Sequence, residues 1–178
     1  MPRNRADVAR DTKLDEIVTA ARRRLADGGY EALSVADIAR ELGLAPNAIY
    51  WYFPTKDELL VAAVERTLHD VLDRKPKDGT CVEQVLWFAD RLAEFQDLRV
   101  TIRERARASE TVASFERNAV ALLRVMLVGA LQHDVPAGRR DDTADAVMAL
   151  CEGVLLQGVT KRARSRILRF GIERLIAG

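Results

Sequence analysis

Apolar side chains recur every three or four positions along nearly the whole chain, and no strand-like alternation or internal repeat interrupts them. That period belongs to helices buried along one face and predicts an all-α fold. Between residues 34 and 60 the pattern is most detailed. Val35, Ile38, Ala39 and Leu42 form the inward stripe of a helix expected to start at Val35, with Ser34 and Asp37 as its capping box. Gly43 offers the positive φ that ends this helix, and Leu44 is placed to plug the turn. Pro46 suits the first position of a new helix, because its missing N–H would be unpaired there anyway. Ile49 and Phe53 then point inward, which leaves Asn47, Ala48, Tyr50 and Trp51 on the outer face and Tyr52 at its edge. Pro54 stops the helix, and Thr55 with Glu58 restarts the chain as another from Lys56.

The rest of the chain divides in the same way. A first helix is expected from about Lys13 to Asp27, capped by Thr12 with Asp15 and closed by Gly28 and Gly29. The helix from Lys56 runs to about Arg74, where Lys75-Pro-Lys-Asp-Gly79 marks the predicted domain boundary. Beyond it, helices are predicted near 80–96, 98–107 and 110–132, then a loop from His133 to Arg140, then helices over 141–161 and 164–177. The penultimate helix is apolar nearly all round, from Ala144 through Val147, Leu150, Val154 and Leu155 to Val159. Such a helix is expected to be buried on more than one side. Gly153 and Gly158 are expected to let a partner helix come close.

Two short helices around a tight turn, with a third after a Pro break, have the layout of a DNA-reading helix-turn-helix. The stretch resembles the TetR family of bacterial transcriptional regulators. The resemblance rests on Ile17, Ala20, Ala21, Leu25, Gly29, Tyr30, Ser34, Val35, Ile38, Ala39, Gly43, Ile49, Leu59 and the run from Tyr50 to Lys56. It covers roughly residues 12 to 64. Ala45 stands where the family often has a capping Ser, and Pro46, Asn47 and Ala48 replace the usual Gly-containing triplet.

The resemblance implies a three-helix DNA-binding domain over residues 1–56, a connecting helix over 56–74, and a helical effector-binding and dimerisation domain over 75–178. A double-stranded operator, a small-molecule effector and a second copy of the chain are the implied partners. Ser34, Pro46, Asn47, Ala48, Tyr50, Trp51, Tyr52 and Lys56 are the residues expected at DNA. For the effector, Trp87, Phe88, Arg91, Phe95, Phe115, Asn118, Leu122 and Gln157 are the candidates by type and placement, since such pockets combine apolar walls with a few polar groups. The family pairs its last two helices into a four-helix bundle, which here nominates Val147, Cys151, Val154, Leu155, Gly158, Leu168, Ile172 and Leu175 for the dimer interface.

Composition adds little to this reading. The chain has 178 residues, 48% of them hydrophobic, and a formal net charge of +1, so charge alone does not announce a nucleic-acid binder. Arg3, Arg5, Arg10 and Lys13 suggest a basic arm ahead of the first helix, of the kind that reaches a groove or phosphates. Arg162, Arg166 and Arg169 read as a solvated face of the last helix. Cys81 and Cys151 have no metal-type spacing and read as small buried hydrophobes of a reducing cytoplasm. No signal peptide or membrane span is expected, and no cofactor is implied. His69 and His133 belong to no metal or nucleophile-base pattern, so an enzyme ranks third. The second reading is a ligand-independent architectural DNA binder.

Overall fold

The computed structural model of the chain describes residues 5 to 178, with side chains from Arg10 onward. Every regular element among the described residues is helical. In order they are α1 (Arg5–Ala32), α2 (Val35–Glu41), α3 (Pro46–Tyr52), α4 (Lys56–Asp73), α5 (Cys81–Glu94), α6 (Gln96–Ala106), α7 (Glu110–Ala130), α8 (Arg140–Leu156) and α9 (Lys161–Ala177). The span read as a plain loop after α7 holds two short 3-10 turns, Leu131–His133 and Ala137–Arg139. The helices gather into two compact units, one made of the residues up to Asp73 with Asp97–Phe115, the other of Arg74–Gln96 with Glu116–Gly178.

In the first unit Ile17, Leu33, Ile38, Ile49, Leu59 and Leu60 are fully buried, and Ile102 and Val112 join the same cluster. Each such aliphatic side chain contributes about 1.5 to 3 kcal/mol on burial. Ion pairs between Arg22 and Asp70, at 2.7 Å, and between Arg66 and Asp15 lie along the packed pair α1 and α4. Helix α1 is already helical at Arg5, ahead of the expected Lys13, so Thr12 and Asp15 sit inside it. Residues 5 to 12 contain neither Gly nor Pro, and an extended helix gains one hydrogen bond per added residue, so a cap-like pair does not stop it. The expected basic arm is accordingly helical at Arg5, Arg10 and Lys13, while Arg3 lies outside the described residues. At Gly28 and Gly29 the backbone leaves helical angles, and a last turn reaches Ala32.

The second unit packs α5, α8, α9 and the later part of α7 around Leu131, Val147, Leu168 and Ile172. Gly171 lets α9 close on α8, because an added Cβ would stand 2.4 Å from a methyl of Leu150. Polar links tie the helices from outside. Asp90 of α5 accepts from Arg164 of α9 at 2.7 Å and pairs with Lys161 at 3.0 Å, and Arg124 of α7 pairs with Asp141 and Asp145 of α8 at 2.8 and 2.6 Å. Helix α8 ends at Leu156, short of the expected 161, because Gly158 takes a φ of +61° just beyond it. No helix among the described residues is long and apolar enough to cross a membrane.

The apolar circumference of α8 is largely absorbed by the chain itself. Val147, Val154, Leu168 and Ile172 are buried in this unit's own core, and Leu155 is buried as well, outside that cluster. Cys151 and Leu175 are half-buried against the same core, and Gly158 sits exposed at the turn rather than on a helix face. What remains outside is Leu156, 57% exposed, and Phe170, 64% exposed.

Candidate DNA-reading face

Local hydrogen bonds set the angle between α2 and α3. The Ser34 hydroxyl accepts from the Asp37 N–H at 3.2 Å and starts α2. Hydrogen bonds from Ser34 and from Arg40, the latter at 2.7 Å, hold the Asp37 carboxyl below its ordinary range. At the far end Gly43 adopts a φ of +65°. The Leu44 N–H then donates to the Ala39 carbonyl at 2.8 Å and the Gly43 N–H to Arg40 at 3.3 Å, the paired bonds of a left-handed helix stop. Leu44 packs on the first unit's core and fixes the turn.

Helix α3 begins at Pro46 with no side-chain cap, as Ala45 requires. Fully buried Ile49 and buried Phe53 pin it, so Asn47, Tyr50 and Trp51 stand exposed and Ala48 lies half-buried. Trp51 is 65% exposed and meets Tyr52 edge-on, with ring centroids 4.9 Å apart. No residue of α3 carries a charge. The helix therefore offers amide, hydroxyl and ring groups, and any cation that meets a phosphate must come from its flanks. One flank is Lys56, half-buried at the start of α4, whose ammonium lies 4.0 Å from the centre of the Tyr30 ring. The Thr55 hydroxyl caps that helix by accepting from the Glu58 N–H at 3.1 Å.

Next to Lys56 the structure holds a cluster that the sequence pattern does not reveal. Asp57 is buried and accepts from the Tyr30 hydroxyl at 2.8 Å and from Nη2 and Nε of Arg105 at 2.6 and 3.1 Å. Burial pushes its carboxyl up, but the hydrogen bonds from Arg105, Tyr30 and Ser109 outweigh that and hold it below its ordinary value. Burial and the bond to Asp57 push the Tyr30 phenol up to about 12. Elsewhere on this unit, an open groove of about 580 Å³ is lined by Asp11, Asp15, Glu16 and Glu41 with Arg23 and Leu42. Acidic walls of that kind disfavour phosphate.

The effector candidates divide into one group and several outliers. Trp87, Phe88, Arg91 and Phe95 lie half-buried on or just after α5, with the two adjacent rings 6.3 Å apart. Arg91 pairs with Glu94 at 2.6 Å, and its Nε is buried without a partner. Phe115 packs against the first unit's core, whereas Asn118, Leu122 and Gln157 are exposed. Burial pushes the Cys81 thiol up to about 11 and the Cys151 thiol to about 12, so both are uncharged at neutral pH.

Known proteins resemble the chain in sequence and fold. The family model described as bacterial regulatory proteins, tetR family, matches residues 17–63. An HTH-type transcriptional regulator of Mycobacterium bovis is 34% identical over 87 residues, 48% of this chain and 36% of that protein. The match thus spans little more than a third of this relative's length. The HTH-type transcriptional regulator BetI of Rhizobium meliloti is 26% identical over 158 residues, 83% of this chain and 78% of its own. The crystal structure of a transcriptional regulator from Saccharomonospora viridis, solved in complex with choline, superposes with a TM-score of 0.69 at 20% identity, covering 92% of this chain and 96% of that one. Residues 17–63 thus carry the helix-turn-helix segment of the tetR family model, and the fold over nearly the full length of the chain is that of solved transcriptional regulators.

Proposed function

We propose that the chain is a homodimeric, ligand-responsive repressor of transcription that places α3 in the major groove of a pseudo-palindromic operator. The observation that carries this reading is the presentation of Asn47, Tyr50 and Trp51 outward on a helix pinned from behind by Ile49 and Phe53. Asn47 has the donor and acceptor to pair with an adenine edge, and Ala48 leaves room for a thymine methyl. Ser34, Tyr50 and Lys56 take the phosphates, Lys56 beside the backbone N–H groups that open α4. Pro46 opens the reading helix and Tyr52 supports Trp51 from the side.

In the dimer, the outer faces of α8 and α9 meet through Leu156 and Phe170. A two-fold pair of recognition helices then reads half-sites about 34 to 36 Å apart. For the effector, the aromatic group on α5 and the unpartnered Nε of Arg91 give an apolar site with one polar handle. The choline complex of the Saccharomonospora protein supports small-molecule binding within this fold. Operator and effector must weaken each other by the same factor. A fluorescence titration of labelled operator tests the DNA assignment. Tyr50→Ala and Lys56→Ala are expected to lower affinity while the dimer stays folded, and full binding by both overturns it.

A further inference from the structure

We propose that Arg10 of α1 is a DNA-contacting residue, held at the reading face by Trp51. The inference rests on the DNA-binding reading above and adds a residue from a different helix to it.

Helix α1 is already helical at Arg5, so Arg10 occupies a fixed place on a helix instead of trailing in an arm. Its guanidinium lies 4.9 Å from the centre of the Trp51 ring. The ring is itself braced edge-on by Tyr52. The attraction of the ring face engages the charge without using its donors, so the N–H groups not turned toward the ring remain to bond a phosphate or a base edge. It also restricts the side chain before DNA arrives, which lowers the entropic cost of ordering it on binding.

The charge pattern supplies the reason for such a residue. Helix α3 carries no charge, yet a protein that docks a helix in the groove must neutralise phosphates beside it. Lys56 provides a cation at one flank, its ammonium over the Tyr30 ring. Arg10 provides another, over the Trp51 ring, and both rings belong to the same unit. Trp51 thereby acts through Arg10 as a positioning residue, which accounts for a tryptophan left 65% exposed.

The test compares wild-type protein with Arg10→Ala, Arg10→Lys, Trp51→Ala and the double variant Arg10→Ala/Trp51→Ala, each checked for folding by circular dichroism. Binding is followed by fluorescence anisotropy over a salt series. The probes are the duplex that wild-type protein enriches from random DNA and an unrelated duplex. Arg10→Ala is expected to lose roughly tenfold affinity for both duplexes and to flatten the logarithmic salt slope by about one unit. Arg10→Lys is expected to keep the slope and still lose about threefold, because an ammonium lacks the guanidinium's planar set of donors. The double variant is expected to bind no worse than Arg10→Ala alone. Wild-type affinity and slope in Arg10→Ala overturn the proposal, as does a double variant whose loss equals the product of the single losses. Should Arg10→Ala not fold, Arg10→Lys with wild-type affinity overturns it as well. A wild-type protein that enriches no duplex overturns the DNA-binding reading itself, which is a separate result.

Discussion

Asp57 joins the start of α4 to Tyr30 and to Arg105, and its carboxylate is only 12% exposed. Removing its cation leaves a nearly buried acceptor short of partners, so Arg105→Ala is expected to cost about 1 to 3 kcal/mol of stability in urea denaturation. The pH dependence follows from the direction of the shift. The folded carboxyl titrates below its ordinary value, so its contribution is complete above that value, about pH 4, and is lost as pH falls through the folded one. Asp57→Asn is therefore expected to flatten the loss of stability below about pH 4 and to leave the slope above pH 5 unchanged. An unaltered acid limb in that variant contradicts the assignment. None of this is legible in the sequence, because Lys56-Asp57-Glu58 reads simply as a helix start and Arg105 lies 48 residues away. The outward set Asn47, Tyr50 and Trp51 is legible, since the period that buries Ile49 and Phe53 leaves those positions no other side. If Asn47 reads a base, Asn47→Ala should relax one base pair per half-site at a cost of about 1 to 3 kcal/mol in a selection experiment.

The ends of helices divide by the kind of signal that sets them. Gly43 stops α2 through its own backbone, and the left-handed turn that follows carries α3 to the reading face. Nothing lies within 4 Å of a Cβ built there, so Gly43→Ala meets no steric clash and its cost is conformational. About 1 to 2 kcal/mol of stability is the expected loss, with operator affinity falling alongside as α3 is displaced. Chemical denaturation that shows no change for Gly43→Ala contradicts that account of the turn. Thr12 with Asp15 has the same form as a true cap but does not stop α1, because the residues before it continue the helix. Capping pairs thus mark where a helix is able to start, whereas a glycine at positive φ marks where it ends. The same rule accounts for α8, which closes at Gly158 despite the apolar run that continues to Val159.

The assembly proposed for this chain depends on which apolar residues its own core leaves over. Periodicity identified α8 as too apolar for one neighbour, but it gave no means of separating Leu155 from Leu156. The fold separates them, with Leu155 buried in the second unit and Leu156 exposed. Leu156→Glu and Phe170→Glu are therefore expected to yield a folded monomer in light scattering that no longer holds two half-sites. Leu155→Glu is expected to destabilise the fold instead, because it places a charge at a buried position. Dimers that persist in both exposed-site variants would place the interface on another face.

The central claim is that two copies of α3 read DNA together, and selection from a random duplex library by the full-length protein tests it most directly. The predicted result is one enriched motif with two-fold related half-sites whose centres lie about 34 to 36 Å apart or a multiple of that, altered at one base pair per half-site by Asn47→Ala. No enrichment, a motif with a single half-site, or a motif unchanged by Asn47→Ala and Tyr50→Ala together would contradict it.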